Sequence, residues 1–344
     1  MNSANAIVKT ATNLINNIPA RNRDILSRRF GLKSGKKETL ESIGKSYGIT
    51  RERVRQIEEF SINQLRKVSD KNQDVEKYVA LVKNIIGDNG VIREEELFKS
   101  FSGREADSAI NFSLVFVLSM NRNLIRFPES DDFYSFWAVS PETLTNFKST
   151  SGSLVDFLEK NKRAVSEDDF VSLIESRGLN NLSGKLDICL SISKNIGKNI
   201  FNEIGLVSWP EIKPKGVRDK AFLVLKKSKN PEHFGDITKL INTSGFQGKK
   251  ANTQTVHNEL IKDPRFILVG RGTYALSEWG YKSGTVKDVL VDLIKDSSKS
   301  VPKATLISKV LSSRMVKENT ILLNLQDSKT FIKNEDGTYS LRKS

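Results

Sequence analysis

IPARNRDILSRRFGLKSGKKETLESIGKSYGITRERVRQIEEFSINQLRK, residues 18–67, carries the clearest pattern in the chain. Leu40 and Ile43 place an apolar pair at i, i+3 in a segment that runs to Ser46, and Tyr47-Gly48-Ile49 makes a short turn. Val54, Ile57, Ile62 and Leu65 then fall on the inner side of a second helix. Helix, glycine-containing turn, helix is the helix-turn-helix pattern. Thr50 precedes the second helix, where its hydroxyl is placed to accept from the free N–H groups of the first turn. Arg51, Glu52, Arg55 and Gln56 are left pointing away from the apolar stripe, at the helix end that such a motif inserts into the major groove. Arg suits the paired acceptors of guanine, Gln the acceptor and donor of adenine, and Glu the amino group of cytosine, each good pair giving about 1–3 kcal/mol of discrimination. The bland alternative for the same charges is a solvated helix face.

FGL followed by TLESIGKSYGITRERVRQIE resembles region four of the primary bacterial sigma factors, and the likeness includes the preceding helix, Asn22 to Phe30. The resemblance implies a DNA-binding protein of transcription that reads the −35 promoter element and docks on the beta flap of bacterial RNA polymerase. Carried over by the motif, Arg51, Glu52, Arg55 and Gln56 face bases of double-stranded DNA, while Lys45, Thr50 and Arg53 lie near phosphates. One departure stands out. From QIE the family continues with a more basic, alanine-rich helix, whereas this chain reads Glu58-Glu59-Phe60-Ser61, Glu58 being the last residue of that motif. Nothing before Ile18 or after Lys67 resembles the aromatic, basic region with which a full sigma factor captures the melted −10 element, so promoter opening by this chain alone is not expected.

A length of 344 residues exceeds one ordinary core, and 38% hydrophobic with 28% charged residues is normal for soluble globular protein. The single Cys189 cannot form an internal disulfide, and with only His233 and His257 beside it the usual zinc spacings cannot be built. Neither metal nor cofactor is expected. The longest apolar run, Phe112 to Met120, is far short of the roughly 20 residues of a membrane span, and no signal-peptide core is visible. These features predict a cytoplasmic, nucleoid-associated protein without membrane contact. The net charge of +14 is unevenly placed: +7 in residues 21–71, −5 in 72–210, +7 in 211–283 and +4 in 284–344. The basic windows mark the first and third modules as the nucleic-acid-facing ones.

Beyond the helix-turn-helix the chain repeats one plan. Helical spacing over residues 75–86 is followed by an extended Gly90-Val91-Ile92, helices from Glu94 to Phe101 and Glu105 to Met120, and a hairpin signal around Pro128 to Asp132. That is the order of a winged helix. The next unit begins near Pro141, with helices predicted at Leu154 to Asn161, Glu167 to Ser176 and Leu186 to Asn195, closing on Leu206-Val207-Ser208-Trp209. In the last two units Phe266-Ile267, Gly272-Thr273-Tyr274 and Leu276 recur as Phe331-Ile332, Gly337-Thr338-Tyr339 and Leu341, a repeat of one two-stranded wing. Tyr274 and Tyr339 are expected to be core residues of these wings rather than platforms for bases.

VRDKAFLVLKKSKNPEHFGDITKLI with NTQTVHNELIKDPRFILVGRGTYALSEWGY, within residues 217–281, resembles the HARE-HTH winged helix. That family occurs in the delta subunit of bacterial RNA polymerase, in some restriction and DNA-modification proteins, and in eukaryotic chromatin factors. The resemblance implies a recognition helix from Thr253 to Ile261 and a second nucleic-acid surface of Lys249, Lys250, Thr253, Gln254, His257, Arg265 and Arg271. The alternative is a protein-docking module with a solvated basic face.

Catalytic readings do poorly. Gly44-Lys45-Ser46 resembles the end of a phosphate-binding loop, but Thr39 stands where the first glycine is needed. Glu211-Ile212-Lys213 lacks accompanying carboxylates, and His257 lacks a nucleophile and an acid partner. The expectation is a non-enzymatic, mainly α chain: a region 4-type helix-turn-helix in residues 1–71, then tandem winged helices with small β-hairpin wings in 72–140, 141–210, 211–283 and 284–344. A recognition or accessory component of a restriction or defence system, or a winged-helix protein-interaction scaffold, are the alternatives. Oligomeric state is open.

Overall fold

The structure, a computed structural model, describes residues 2–69, 72–103, 108–176, 184–281, 284–297 and 300–342. The chain divides into two compact units, Met1–Lys198 with Ile204–Val207, and Asn199–Glu203 with Ser208–Ser344. Short antiparallel sheets of three strands accompany the helices in both.

The first unit opens with helices α1 (Asn2–Ile15), α2 (Ala20–Phe30), α3 (Leu40–Tyr47) and α4 (Arg51–Ser69). These are followed by α5 (Gln73–Ile86), β1 (Val91–Arg93), α6 (Glu94–Ser102), α7 (Ala109–Leu118), β2 (Ile125–Phe127) and β3 (Phe136–Ala138). Helix α1 lies ahead of the stretch from which the fold was read, although Ile7, Ala11 and Leu14 mark its apolar face at helical spacing and are buried. The predicted helix from Glu105 starts at Ala109 instead, where Ser108 accepts from Asn111 N–H at 3.2 Å and caps it. Glu105 to Asp107 lie outside the described residues.

Every residue of α7 from Asn111 to Leu118 is buried, as expected of a helix that is apolar round most of its surface. It packs against α1, α2, α5 and α6. One core therefore runs through the helix-turn-helix residues Leu26 and Leu65, through α1 and α5, and on to Trp137 of the first winged helix. The sheet has the order β1-β3-β2, with Val91 and Ile125 on either side of Ala138. The buried carboxylate of Glu94, which opens α6, is satisfied by Arg126 Nε and Nη2 (2.5 and 2.7 Å) and by Trp137 Nε1 (3.0 Å) of the sheet.

The rest of the first unit comprises α8 (Pro141–Asn161), β4 (Val165–Ser166), α9 (Glu167–Ser176), α10 (Leu186–Ile192), β5 (Ile196–Lys198) and β6 (Glu203–Leu206). Helix α8 begins at Pro141 rather than Leu154, because Ser140 caps it through Thr143 N–H and Pro141 fits the first helical position. The closing hairpin is β5 and β6, earlier than the expected Leu206 to Trp209, and α10 stops at Ile192 to let the chain extend. Cys189 on α10 is fully buried, and burial pushes its thiol up to about 12. The native chain is thus expected to resist a thiol-specific reagent at mildly alkaline pH and to react once urea unfolds it; fast labelling of folded protein would contradict the placement.

In the second unit α11 (Val217–Ser228), β7 (Glu232–His233), α12 (Phe234–Thr243), α13 (Thr253–Lys262), β8 (Phe266–Gly270) and β9 (Thr273–Leu276) surround one core. A second core belongs to α14 (Val286–Asp296), β10 (Val301–Pro302), α15 (Lys303–Ser313), α16 (Glu318–Leu325), β11 (Phe331–Lys333) and β12 (Thr338–Leu341). The sequence repeat is a structural repeat: Phe266 pairs with Leu276 and Phe331 with Leu341, and Tyr274 and Tyr339 are buried. Each predicted two-stranded wing is in fact three-stranded, the added strand being the two-residue β7 or β10. Among the described residues no helix is long and apolar enough to cross a membrane.

Candidate nucleic-acid interface

Local rules build the helix-turn-helix. Thr39 accepts from Ser42 N–H at 3.1 Å and starts α3, and Gly48 ends it in the left-handed conformation (φ +64°) that glycine adopts without strain. A Cβ on Gly44 would lie 2.7 Å from Ile49 O, so only glycine lets the turn fold back so closely on α3. Thr50 Oγ1 then accepts from Arg53 N–H at 3.2 Å, as its position before the helix implies. Ile25, Ile43 and Val54 form the small core between α2, α3 and α4, flanked by the half-buried Ile57. Leu65 is buried in the larger core and Ile62 packs against it.

Ion pairs fasten the elements around α4. Arg28 holds Glu38 through two bonds of 2.9 and 2.7 Å and Ser46 Oγ at 2.7 Å, tying the loop before α3 to α2. The Arg28 hydrogen bond keeps the Glu38 carboxyl below its usual range. Glu58, the last residue of QIE, is turned onto Arg29 at 3.1 Å, its side chain only 20% exposed, so its charge is matched within the fold.

The exposed flank of α4 carries Arg51, Glu52, Arg53, Arg55 and Gln56 in the open. Arg55 gives Nε and Nη2 to Glu52 (3.1 and 2.8 Å) and Nη1 to Glu59 (3.1 Å), while Arg53 donates to Gln56 at 3.1 Å. The Arg55 hydrogen bond holds the Glu52 carboxyl below its usual range. Solvent screens such exposed pairs, so they open readily for another partner. Lys45 is exposed on α3, 3.8 Å from Glu41. Glu59 was not among the expected site residues; its spacing of four from Arg55 is the signal that identifies it.

In the second unit Asn252 caps α13 by accepting from Gln254 and Thr255 N–H. Lys249, Lys250, Thr253 and Gln254 are exposed at that helix end, and Arg271 is exposed in the turn between β8 and β9. The other two expected members, Arg265 and His257, are half-buried and engaged within the module. Arg265 donates to Asp263 (2.7 and 3.1 Å) and Asp219 (2.9 Å), and His257 stacks on Phe234 (4.4 Å, 27°) with its edge toward Tyr274. Both are occupied by packing and pairing within the module.

Residues 14–67 match the family model for Sigma-70, region 4. The first helix-turn-helix is therefore a region 4 module. Residues 217–279 match the HARE-HTH model, the HTH domain of ASXL and restriction endonuclease proteins, which identifies the first core of the second unit as a HARE-HTH module. Similar proteins include RNA polymerase sigma factor SigA of Microcystis aeruginosa, 36% identical over 77 residues that make up 22% of this chain and 18% of that protein. SigA of a Bacillus species is 43% identical over 56 residues, 16% of this chain and 15% of the relative. Principal sigma factor HrdD of Streptomyces coelicolor is 39% identical over 56 residues, covering 16% and 17%. The chain thus spans less than a fifth of the length of these relatives.

The region 4 module here is built into a larger body than a free helix-turn-helix. Its α4 is 19 residues long, with the groove-suited residues in its first two turns and Leu65 anchored beside α7 in its last ones. Residues of α4 and of the first winged helix thus share one hydrophobic core.

Proposed function

We propose that the chain is a DNA-binding protein of transcription, a sigma-like regulator or RNA polymerase accessory factor that reads a −35-like element without melting promoters itself. The observation that carries this reading is the polarity of α4: Glu52, Arg55 and Gln56 are exposed together while Val54 and Leu65 are fully buried. With that polarity the helix enters the major groove N-terminal end first, Arg51, Glu52, Arg55 and Gln56 against base edges, and Lys45, Thr50 and Arg53 at phosphates. Phosphate contacts position the module and make its affinity salt-dependent; base contacts set the address.

The HARE-HTH module supplies a second surface from Lys249, Lys250, Thr253, Gln254 and Arg271, suited to phosphate contact. Region 4 similarity supports bacterial RNA polymerase as partner, with the beta flap as the docking point and the cytoplasmic nucleoid as the place of action. No catalytic role is assigned. The organisation behind this is one region 4 module and four winged helices, with boundaries near residues 71, 140, 210 and 283. A second reading, a recognition component of a restriction or defence system, is favoured by the HARE-HTH match and predicts DNA binding without polymerase association.

Selection of bound fragments from random duplex DNA, run on the full chain and on an Arg55→Ala, Gln56→Ala double variant, tests the proposal. The native chain is expected to enrich one motif, and the variant to keep weak unspecific binding while losing it. A motif unchanged by the double substitution would refute base reading by α4.

A further inference from the structure

We propose that Phe60 is a specificity-determining residue of the region 4 module, an apolar reader of a thymine methyl group in the major groove. This rests on the reading of α4 as a groove helix. Phe60 is 61% exposed, the most exposed large hydrophobic side chain in the first unit among the described residues. Its position around α4 is what makes it informative. At about 100° per residue it lies between Gln56, four positions back, and Arg53, seven back, roughly 40° from one and 20° from the other. The ring therefore continues the side of the helix that presents Gln56 and Arg53, away from Val54 and Leu65.

Chemistry separates the partners available to it. Phenylalanine offers a phosphate nothing, and the exposed Glu59 carboxylate beside it repels one. Of the groups on the floor of the major groove, the C5-methyl of thymine is the apolar one. Phe60 sits about 6 Å further along the axis than Gln56, close to two base-pair steps of about 3.4 Å, which places its reach on a neighbouring stretch of the same groove. Nor does it belong to an apolar docking stripe. Val68, the other strongly exposed apolar residue of α4, is turned about 80° away around the axis, with the exposed polar Gln64 between them.

The test uses the full chain and its selected duplex, with each thymine in turn replaced by deoxyuridine, which lacks only the methyl group. One thymine, about two base pairs from the position whose preference is lost in Gln56→Ala, is expected to matter. Its replacement should weaken native binding about fourfold, the size expected for one methyl group returned to water, and leave Phe60→Ala binding unchanged. Because Phe60 is exposed, the variant should fold as the native chain does, which its far-UV circular dichroism would verify. If no thymine shows this difference, or if Phe60→Ala keeps the native methyl dependence, the role of Phe60 is refuted while groove reading stands. A native chain that enriches no motif at all refutes both. Loss of polymerase copurification in Phe60→Ala with methyl dependence intact would make the residue a protein contact and overturn the inference.

Discussion

Phe116→Ala is expected to lower the stability of the first unit by about 3–5 kcal/mol, the range for removing a fully buried phenylalanine and leaving a cavity. Against a typical total of about 5–15 kcal/mol, that is a large fraction. Phe116 sits on α7 with no exposed surface, and its ring meets Phe30 of α2 edge-on at 5.2 Å and 73°. The substitution removes a packing element shared by the region 4 module and the first winged helix, so both should loosen together. Hydrogen exchange across a urea series would show it: amides of α2 and α5 are expected to lose protection in parallel. Loss confined to α5 and α7, with α2 and α4 unchanged, would mean that the shared core does not couple them. DNA selectivity should fall with stability, because Leu65 fixes α4 in the same core as Phe116.

What could be read beforehand was whatever short-range spacing decides. The α3–turn–α4 geometry follows from Leu40, Gly44, Gly48, Thr50 and Val54, all within one local stretch, and the two repeated wings follow from alternation and glycine position. The elements that were missed depend on partners far along the chain. Helix α1 has a legible apolar face, but what that face is for becomes clear only when α7, about a hundred positions later, is laid against it. The first half of α8 contains Thr, Ser and Gly residues of poor helix propensity, and its start is set by Ser140 and Pro141 rather than by periodicity. Strands β7 and β10 are two residues long and carry no period at all.

The site shows the same division. Exposure of Arg51, Glu52, Arg55 and Gln56 follows from helix geometry, and so does the pairing of Arg55 with Glu59, whereas the fate of Arg265 does not. The HARE-HTH resemblance implies Arg265 on a nucleic-acid surface, and the basic charge of its window agrees with that. One of its carboxylate partners, Asp263, is two residues away, but the other, Asp219, lies on α11, 46 positions earlier. A net charge of +7 in a window says nothing about which cations are already matched inside the fold.

Arg265→Ala should therefore act on folding of the HARE-HTH module far more than on nucleic-acid contact. Asp219 and Asp263 have side chains only 9% exposed, and removing their shared guanidinium leaves two covered carboxylates without their cation. Breaking a buried pair from one side costs about 3–5 kcal/mol. The pH dependence gives the sign. In the native chain the Arg265 hydrogen bonds hold the Asp263 carboxyl below its usual range, assisted by the nearby Arg218. A carboxyl whose folded pKa is depressed contributes stability that is fully present above its unfolded value, about 3.9, and is lost as pH falls through the folded pKa. In the variant the Arg265 hydrogen bond to Asp263 is gone while its burial remains, so the Asp263 carboxyl moves upward from its native position and the stability tied to its ionisation is lost. The difference between native chain and variant is expected to be largest near neutral pH and to shrink on acidification toward about pH 4. Urea melts of both proteins at several pH values, followed by exchange protection of α11 and β9, would test this. A variant as stable as the native chain at neutral pH, but weaker on DNA, would return Arg265 to the nucleic-acid surface.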